Sequence, residues 1–208
     1  MRARIAVLVS GGGTNLQALI DAQSRGEIPS GEIVLVVSNN GGAYALERAR
    51  RAGIPAVVCA KAKGEARAGF EARLTEILLN NRIDMIALAG FMAILSADFV
   101  KQYPDRIINI HPSLIPSFCG EGFYGLRVHR AALDYGVKVT GATVHYVNEI
   151  PDGGRIIAQK AVDVLPGDTP ETLQRRVMEQ AEWVLLPRAT ERVAKSIMEN
   201  GEWKMENE

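Results

Sequence analysis

The sequence predicts an α/β fold, in which helices cover both faces of a doubly wound, mainly parallel sheet. Several short segments, among them residues 5–9, 33–37 and 85–88, are apolar throughout, as strands buried on both faces are. Segments with helical spacing of apolar residues separate them, so strands and helices alternate through the first half of the chain. Two later extended segments are joined by a link too short for a parallel crossover, which predicts antiparallel strands at the C-terminal end.

The first half of the chain is predicted to contain five strands with helices between them. Glycines at 11–13 end the first strand before a helix, and Gly53 with Pro55 marks the end of the second helix. The predicted strands lie at residues 5–9, 33–37, 56–58, 85–88 and 107–110. The helices are predicted around residues 16–20, 45–52 and 70–78 and from about residue 96.

The second half departs from strict alternation of strand and helix. Residues 117–125 contain three glycines without periodicity, which predicts a loop near a functional site, and a helix follows around residue 129. Extended segments at 138–147 and 155–164 are predicted to pair as a hairpin. Thr169 and the proline after it then predict the start of one long C-terminal helix, because they have the residue types of an N-cap and a first helical position.

Length and charge limit the classes of function. The 208 residues suit one domain, 1–208, and the 24 basic and 24 acidic residues leave no net charge to attract nucleic acid or an anionic membrane, so small molecules are the expected partners. Cys59 and Cys119 have neither disulfide-framework nor zinc-site spacing. The first apolar segment is too short for a signal peptide or membrane span. We therefore expect a soluble, cytoplasmic protein without a metal.

An amide and an imidazole occur together at the end of the last strand of the first half. Asn109 and His111 are two residues apart in an extended segment, so they share one face, and Pro112 ends the strand there. The alternative is that Asn109 only satisfies a loop and that His111 is a histidine at the end of a strand. Asp152 precedes two glycines and is either a turn former or a partner of His111. A carboxylate beside the imidazole would raise its pKa, and the amide suits a developing oxyanion.

Other nucleophiles and histidines have weaker support in the sequence. Ser113 and Cys119 are the candidates for a covalent intermediate, but nothing in the sequence places either beside His111, so direct transfer is favoured. His129 and His145 lie among apolar residues and are interpreted as structural. No metal-ligand spacing links the histidines.

The glycines at 11–13 predict an anion site. They permit close approach of the backbone, and the helix that begins at Thr14 and Asn15 offers free N–H groups, so a bound phosphate is expected. The alternative is a tight turn with Thr14 as the helix cap. Leu16 stands where a dinucleotide fingerprint has its third glycine, and no Gly-Lys-Ser or Gly-Lys-Thr follows. Nicotinamide cofactors and ATP are therefore disfavoured.

Four segments together resemble the formyltransferase family that uses 10-formyltetrahydrofolate. They are Ser-Gly-Gly-Gly-Thr-Asn-Leu-Gln at 10–17, Leu-Ala-Gly-Phe-Met at 88–92, Asn-Ile-His-Pro-Ser-Leu-Ile-Pro at 109–116 and Asp-Gly-Gly at 152–154. The resemblance implies a Rossmann-like formyltransferase fold. The glycine loop is similar to that of the members whose acceptor is 5′-phosphoribosylglycinamide, which implies formyl transfer from 10-formyltetrahydrofolate to its free amine in purine biosynthesis.

The resemblance also implies a role for individual residues. Residues 1–105 would form a phosphate-binding half and 106–208 a catalytic and folate-binding half. Asn109, His111 and Asp152 would be catalytic. The acceptor phosphate would contact Gly13, Thr14 and Asn15, and the ribosyl group would contact Glu182. Folate binding would involve Arg67, Met92, Ala93, Ile94, Leu95, Asn109, Asn148, Glu149, Ile150, Pro151 and Asp152.

Three departures from the family pattern accompany the resemblance. Some relatives have arginine where this chain has Ala93, so only a backbone role carries over at that position. The segment 177–182 is one residue longer than in some relatives, and the 117–125 loop is longer too.

Three other functions remain open on the sequence. A hydrolase passing the formyl group to water resembles this chain but would carry an extra domain before the catalytic one. The formyltransferase of initiator tRNA would need a basic surface and a further C-terminal domain. A phosphate-binding protein without activity would use the glycine loop alone, and folate analogues would not stabilise it. The chain is expected to be a monomer or homodimer.

Overall fold

The computed structural model describes residues 1–200, so residues 201–208 of the predicted domain lie outside the described residues. The strands are β1 (Ala3–Val9), β2 (Gly31–Ser38), β3 (Ala56–Val58), β4 (Met85–Leu88), β5 (Ile107–His111), β6 (Val139–Tyr146) and β7 (Ile156–Asp163). The α-helices are α1 (Thr14–Ser24), α2 (Tyr44–Arg51), α3 (Arg67–Asn80), α4 (Ala97–Lys101), α5 (Leu126–Tyr135), α6 (Pro170–Val177) and α7 (Trp183–Glu199). A π-helical turn (Met178–Glu182) joins α6 to α7.

The strands form one sheet in the order β3-β2-β1-β4-β5-β6-β7. The first five strands are mutually parallel, whereas β6 is antiparallel to β5 and β7 is antiparallel to β6. The predicted doubly wound, mainly parallel sheet with antiparallel strands at its C-terminal end is therefore confirmed. The strand order reverses between β1 and β4, and ligands of such sheets bind outside the carboxyl ends of the strands at that point.

Apolar side chains on the two faces of the sheet form two cores. On one face, Leu16 and Leu19 of α1 and Val193 of α7 pack in a cluster with the inward side chains of β1. On the other face, Leu74 of α3 and Phe99 of α4 belong to the second cluster. Burial of both faces explains why residues 5–9, 33–37 and 85–88 of the parallel strands are apolar throughout.

The predicted long C-terminal helix is present, but the π turn interrupts it. Leu173, Val177, Ala181 and Leu185 are all buried and recur every four residues. A straight α-helix has 3.6 residues per turn and would carry that series around its surface, whereas a π turn contains one extra residue and keeps the series facing the core. The predicted long C-terminal helix is therefore confirmed, with a π turn inside it. Within residues 1–200, no helix is long and apolar enough to cross a membrane.

Candidate active site

A cavity of about 750 Å³ lies at the carboxyl ends of β1, β4 and β5. The 117–125 loop, the link between β6 and β7, and the π turn complete its wall. The predicted site residues that line it are Gly13, Thr14, Asn15, Met92, Ala93, Ile94, Leu95, Asn109, His111, Asn148, Glu149, Ile150, Pro151, Asp152 and Glu182. Residues from both halves of the sequence thus share one cavity.

Arg67 is the predicted folate residue that the structure does not bring to this cavity. It is exposed at the first position of α3 and borders a separate groove, together with Glu71 and Asp98. Its predicted contact with folate stays a prediction.

Four polar side chains from β5, β6 and the link after β6 meet at one wall of the cavity. The Asp152 carboxylate lies 3.4 Å from His111 Nδ1 through Oδ2 and 3.5 Å from His145 Nε2 through Oδ1. The Asn109 amide nitrogen lies 3.2 Å from His145 Nε2 and donates to Asp152 Oδ1 at 3.4 Å. An amide, a carboxylate and two imidazoles therefore form one hydrogen-bonded cluster at the cavity wall.

Strand register and one tight turn bring this cluster together. Asn109 of β5 pairs with His145 of β6, so their side chains are direct neighbours on one face. Asp152 follows in the link to β7 with a left-handed φ of 55°. A Cβ at Gly154 would lie 1.7 Å from the Tyr146 carbonyl oxygen, so the link returns to β6 only with glycine there. This tight turn places the Asp152 carboxylate next to His111 and His145.

The 117–125 loop holds two members of the cluster through its backbone. The Phe118 carbonyl oxygen lies 2.9 Å from His111 Nε2, and the Gly120 N–H donates to Asp152 Oδ2 at 2.9 Å. The Phe118 ring in turn packs edge-on against Tyr135 of α5. The prediction of a loop near the site is confirmed, and its contacts fix the His111 and Asp152 side chains.

The electrostatics of His111 differ from the prediction. Burial lowers the pKa of this imidazole and outweighs the Asp152 carboxylate and the Phe118 carbonyl, which raise it. The expected net rise in the pKa of His111 was therefore wrong, because only 4% of the residue is exposed. Burial would raise the pKa of Asp152, but its hydrogen bond to His145 and the nearby His111 lower it, so the carboxylate stays ionised.

His145 was interpreted as structural, and the structure places it in the cluster with Asn109 and Asp152. Its Nδ1 faces the Tyr146 carbonyl oxygen at 2.8 Å, which leaves Nε2 for Asn109 and Asp152. The signal that could have identified it is its position in the strand that pairs with β5. His129 is buried on α5 with no hydrogen-bond partner among the described residues, and burial lowers its pKa to about 4.

Neither candidate for a covalent intermediate is placed as a nucleophile. Ser113 is fully buried and donates to the Ser117 carbonyl oxygen at 2.6 Å. The Cys119 thiol donates to the Pro116 carbonyl oxygen, and burial raises its pKa, which disfavours the thiolate. Across residues 1–200, no group of three or more histidine, cysteine, aspartate or glutamate side chains could hold a metal ion.

The glycine loop after β1 forms the opposite wall of the cavity. Gly13 is the N-cap of α1 with a left-handed φ of 72° and no side-chain cap, so the alternative of Thr14 as the cap is wrong. The Asn15 side chain donates to Glu182 Oε2 at 2.6 Å. Burial raises the pKa of the Glu182 carboxyl to about 7, although the Asn15 bond lowers it. The loop and the π turn therefore meet through a buried amide and carboxyl pair.

Comparison with known proteins identifies the family. The formyl transferase family model matches residues 3–190. The chain is 42% identical over 180 residues to the chloroplastic phosphoribosylglycinamide formyltransferase of Arabidopsis thaliana, and 48% identical over 189 residues to the trifunctional purine biosynthetic protein adenosine-3 of Drosophila pseudoobscura pseudoobscura. These matches cover 86% and 90% of this chain, but only 61% and 13% of the two relatives.

A solved structure agrees with these matches. The crystal structure of glycinamide ribonucleotide transformylase 1 from Symbiobacterium toebii is similar with a TM-score of 0.87 and 44% sequence identity. The match covers 94% of this chain and 89% of that chain. The resemblance drawn from the four sequence segments is thus confirmed by both sequence and structure. This chain belongs to the formyl transferase family.

Proposed function

We propose that this protein transfers a formyl group from 10-formyltetrahydrofolate to the free amine of 5′-phosphoribosylglycinamide in purine biosynthesis. The observation that carries the proposal is one cavity in which the Asn109, His111 and Asp152 cluster faces a glycine loop suited to phosphate. The relatives in Arabidopsis thaliana and Symbiobacterium toebii are named for this acceptor, which supports the same choice here.

The acceptor would lie with its phosphate against Gly13, Thr14 and Asn15. The first turn of α1 has N–H groups without intrahelical acceptors, and the positive end of the helix dipole favours an anion there. Glu182 lies beside Asn15 at the same wall, where its carboxyl would contact the ribosyl hydroxyls. This orientation directs the acceptor amine toward the cluster at the end of β5.

The formyl donor would lie across the other side of the cavity. Met92, Ile94 and Ile150 line it and are each about half exposed, at 51%, 54% and 59%. Exposed apolar side chains around a cavity suit a flat, partly apolar ring such as the pterin of a folate. The backbone of residues 92–95 and 148–152 would supply the polar contacts to that ring. Arg67 lies outside the cavity, where it would contact a part of the donor that extends beyond it.

The chemistry would be direct transfer without a covalent intermediate. The acceptor amine attacks the formyl carbon, the bond from that carbon to folate N10 breaks, and the proton lost by the amine passes to N10. Asn109 would donate to the oxyanion through its amide, whose present bonds of 3.2 and 3.4 Å are long enough to be exchanged. His111 would carry the proton in the transition state, and Asp152 would stabilise that imidazolium.

The test follows release of the formyl group from a 10-formylfolate by absorbance, with and without 5′-phosphoribosylglycinamide, for the parent and His111→Ala. The proposal expects release that requires both the acceptor and His111. Circular dichroism of the variant shows that it is folded. Release without the acceptor would indicate a hydrolase. No release from the folded parent under either condition would indicate a phosphate-binding protein instead.

Three further expectations belong to this proposal. The partners are small molecules rather than nucleic acid, the protein is a monomer or homodimer, and it acts in the cytoplasm. The Arabidopsis thaliana relative is named as chloroplastic, so cell fractionation is the test of location. Light scattering at several protein concentrations tests the oligomeric state.

A further inference from the structure

Helix α2 holds the glycine loop from outside the cavity. The Ala45 N–H donates to the Gly11 carbonyl oxygen at 3.1 Å, and Arg48 Nε donates to the Gly12 carbonyl oxygen at 2.8 Å. A loop that binds an anion through N–H groups needs its carbonyl oxygens bonded elsewhere, because a carbonyl oxygen facing the anion would repel it. The two bonds from α2 meet that need.

Further contacts fix the Arg48 side chain in this position. Its Nη1 donates to Gln17 Oε1 of α1 at 3.0 Å, and its guanidinium carbon lies 5.1 Å from the centre of the Tyr44 ring. A Cβ at Gly13 would lie 2.6 Å from Ala45 Cβ and 3.3 Å from Arg48 Cδ, so α2 packs directly against the loop. The guanidinium is partly buried and is held by neighbours on two helices.

We propose that Arg48 is a positioning residue for the acceptor phosphate. It keeps the Gly12 carbonyl oxygen turned away from the anion and adds a positive charge behind the loop. The proposal rests on the proposed function, in which this loop binds the phosphate of the acceptor. Arg48 does not line the cavity, so its loss weakens binding of the acceptor and leaves the formyl transfer step and the donor site unchanged.

The experiment compares Arg48→Met with Arg51→Met. Arg51 is the matched control, because it lies on the same helix, near the same Tyr44 ring at 5.9 Å, and bonds to Glu47 rather than to the loop. Steady-state kinetics give kcat and the KM values of 5′-phosphoribosylglycinamide, its dephosphorylated counterpart and the formyl donor. Calorimetry gives the dissociation constant of inorganic phosphate without turnover.

We expect Arg48→Met to raise the KM of the phosphorylated acceptor by roughly 10- to 100-fold, the usual cost of a lost hydrogen bond to a charged group. The dissociation constant of inorganic phosphate should rise by a similar factor. The KM of the dephosphorylated acceptor, the KM of the donor and kcat should stay within about twofold of the parent. Arg51→Met should behave as the parent in every measurement.

The outcomes separate the two proposals. A parent that uses the phosphorylated and dephosphorylated acceptors equally well refutes the phosphate role of the loop, and Arg48 with it. A parent that discriminates between them, with an Arg48→Met variant that binds phosphate like the parent, overturns the Arg48 proposal alone. A fall in kcat at unchanged acceptor KM also overturns it. Arg48→Gln is judged by the same measurements if circular dichroism shows that Arg48→Met is unfolded.

Discussion

Among single residues, Asn109 has the most direct predicted effect on turnover. Its amide nitrogen lies within 3.4 Å of both His145 and Asp152. Loss of one oxyanion donor costs roughly 100- to 1000-fold in rate. We expect Asn109→Ala to lower kcat by that factor and to leave the dissociation constant of the acceptor, measured by calorimetry, nearly unchanged. A large loss of acceptor affinity would contradict the assigned role.

The charge of Asp152 is predicted to set the pH dependence of the reaction. Burial lowers the pKa of His111, and the Asp152 carboxylate opposes that effect. Asp152→Asn removes the charge, so the pKa of His111 should fall further. The acid limb of the pH–rate profile should then move to lower pH while the maximal rate decreases, in assays between about pH 5 and 9. An unchanged profile would remove Asp152 from the mechanism.

Glu182 is predicted to make stability depend on pH. Burial raises the pKa of its carboxyl from 4.5 to about 7 in the folded protein. Between these values the folded protein keeps a proton that the unfolded chain has released, so stability falls as the pH rises. Glu182→Gln lacks this effect. Its free energy of unfolding should therefore rise relative to the parent by up to about 3 kcal/mol between pH 4.5 and 7.

Urea denaturation of the parent and Glu182→Gln at each pH measures that difference. Taking the difference cancels the opposite effect of His129, whose pKa burial lowers to about 4 in both proteins. If the free energies of unfolding of the two proteins change in parallel across this pH range, Glu182 does not retain its proton on folding.

The residues of the site were predictable only where local sequence determines them. Asn109 and His111 could be assigned to one face from their spacing in an extended segment. His145 could not, because its place beside Asn109 depends on the register between β5 and β6, which are joined by a long connection. The pKa direction at His111 could not be predicted either, since burial depends on the whole surrounding fold.

Among the secondary-structure elements, the π turn is predicted to absorb one residue without moving α7. Deleting the exposed Gln180 would leave an α-helix across this segment, and the buried face of α7 would stay in register. Deleting the exposed Arg188 is the control, because it rotates the following part of α7 by about 100° and takes Val193 and Ile197 out of the core.

We expect the Arg188 deletion to cost several kcal/mol, at about 1.5 to 3 kcal/mol for each large apolar side chain lost from the core. The Gln180 deletion should cost clearly less, as measured by urea denaturation. Equal losses for the two deletions would show that the π turn does not act as a one-residue insertion.

The strands were more predictable than this turn for a physical reason. A parallel strand segment buried on both faces needs apolar residues at every position, as in β4 and in residues 5–9 of β1, and such a pattern is visible locally. The π turn differs from an α-helix by a single residue, so the apolar residues of this segment do not by themselves distinguish the two. The contact between Asn15 and Glu182 distinguishes them, but it joins distant parts of the chain.

The whole molecule is predicted to unfold as one unit, although its two halves carry different predicted roles. The sheet runs without a break from β3 to β7, and α7 packs against α1 as well as against β6 and β7. One apolar cluster includes Leu16 from the first half and Val193 from the second. The two halves therefore share this cluster, and a ligand bound to either half should stabilise both.

A folate analogue at 100 times its dissociation constant should raise the free energy of unfolding by about 2.7 kcal/mol. Urea transitions followed by far-ultraviolet circular dichroism and by Trp183 fluorescence, in a Trp203→Phe background, should coincide with and without the analogue. The analogue should shift the midpoints of the two transitions to higher urea concentration by the same amount. Two separate transitions, or a shift in only one signal, would show that residues 1–105 and residues 106–208 unfold separately. Absence of any shift would instead count against a folate site, because only a ligand that binds the folded state raises its stability.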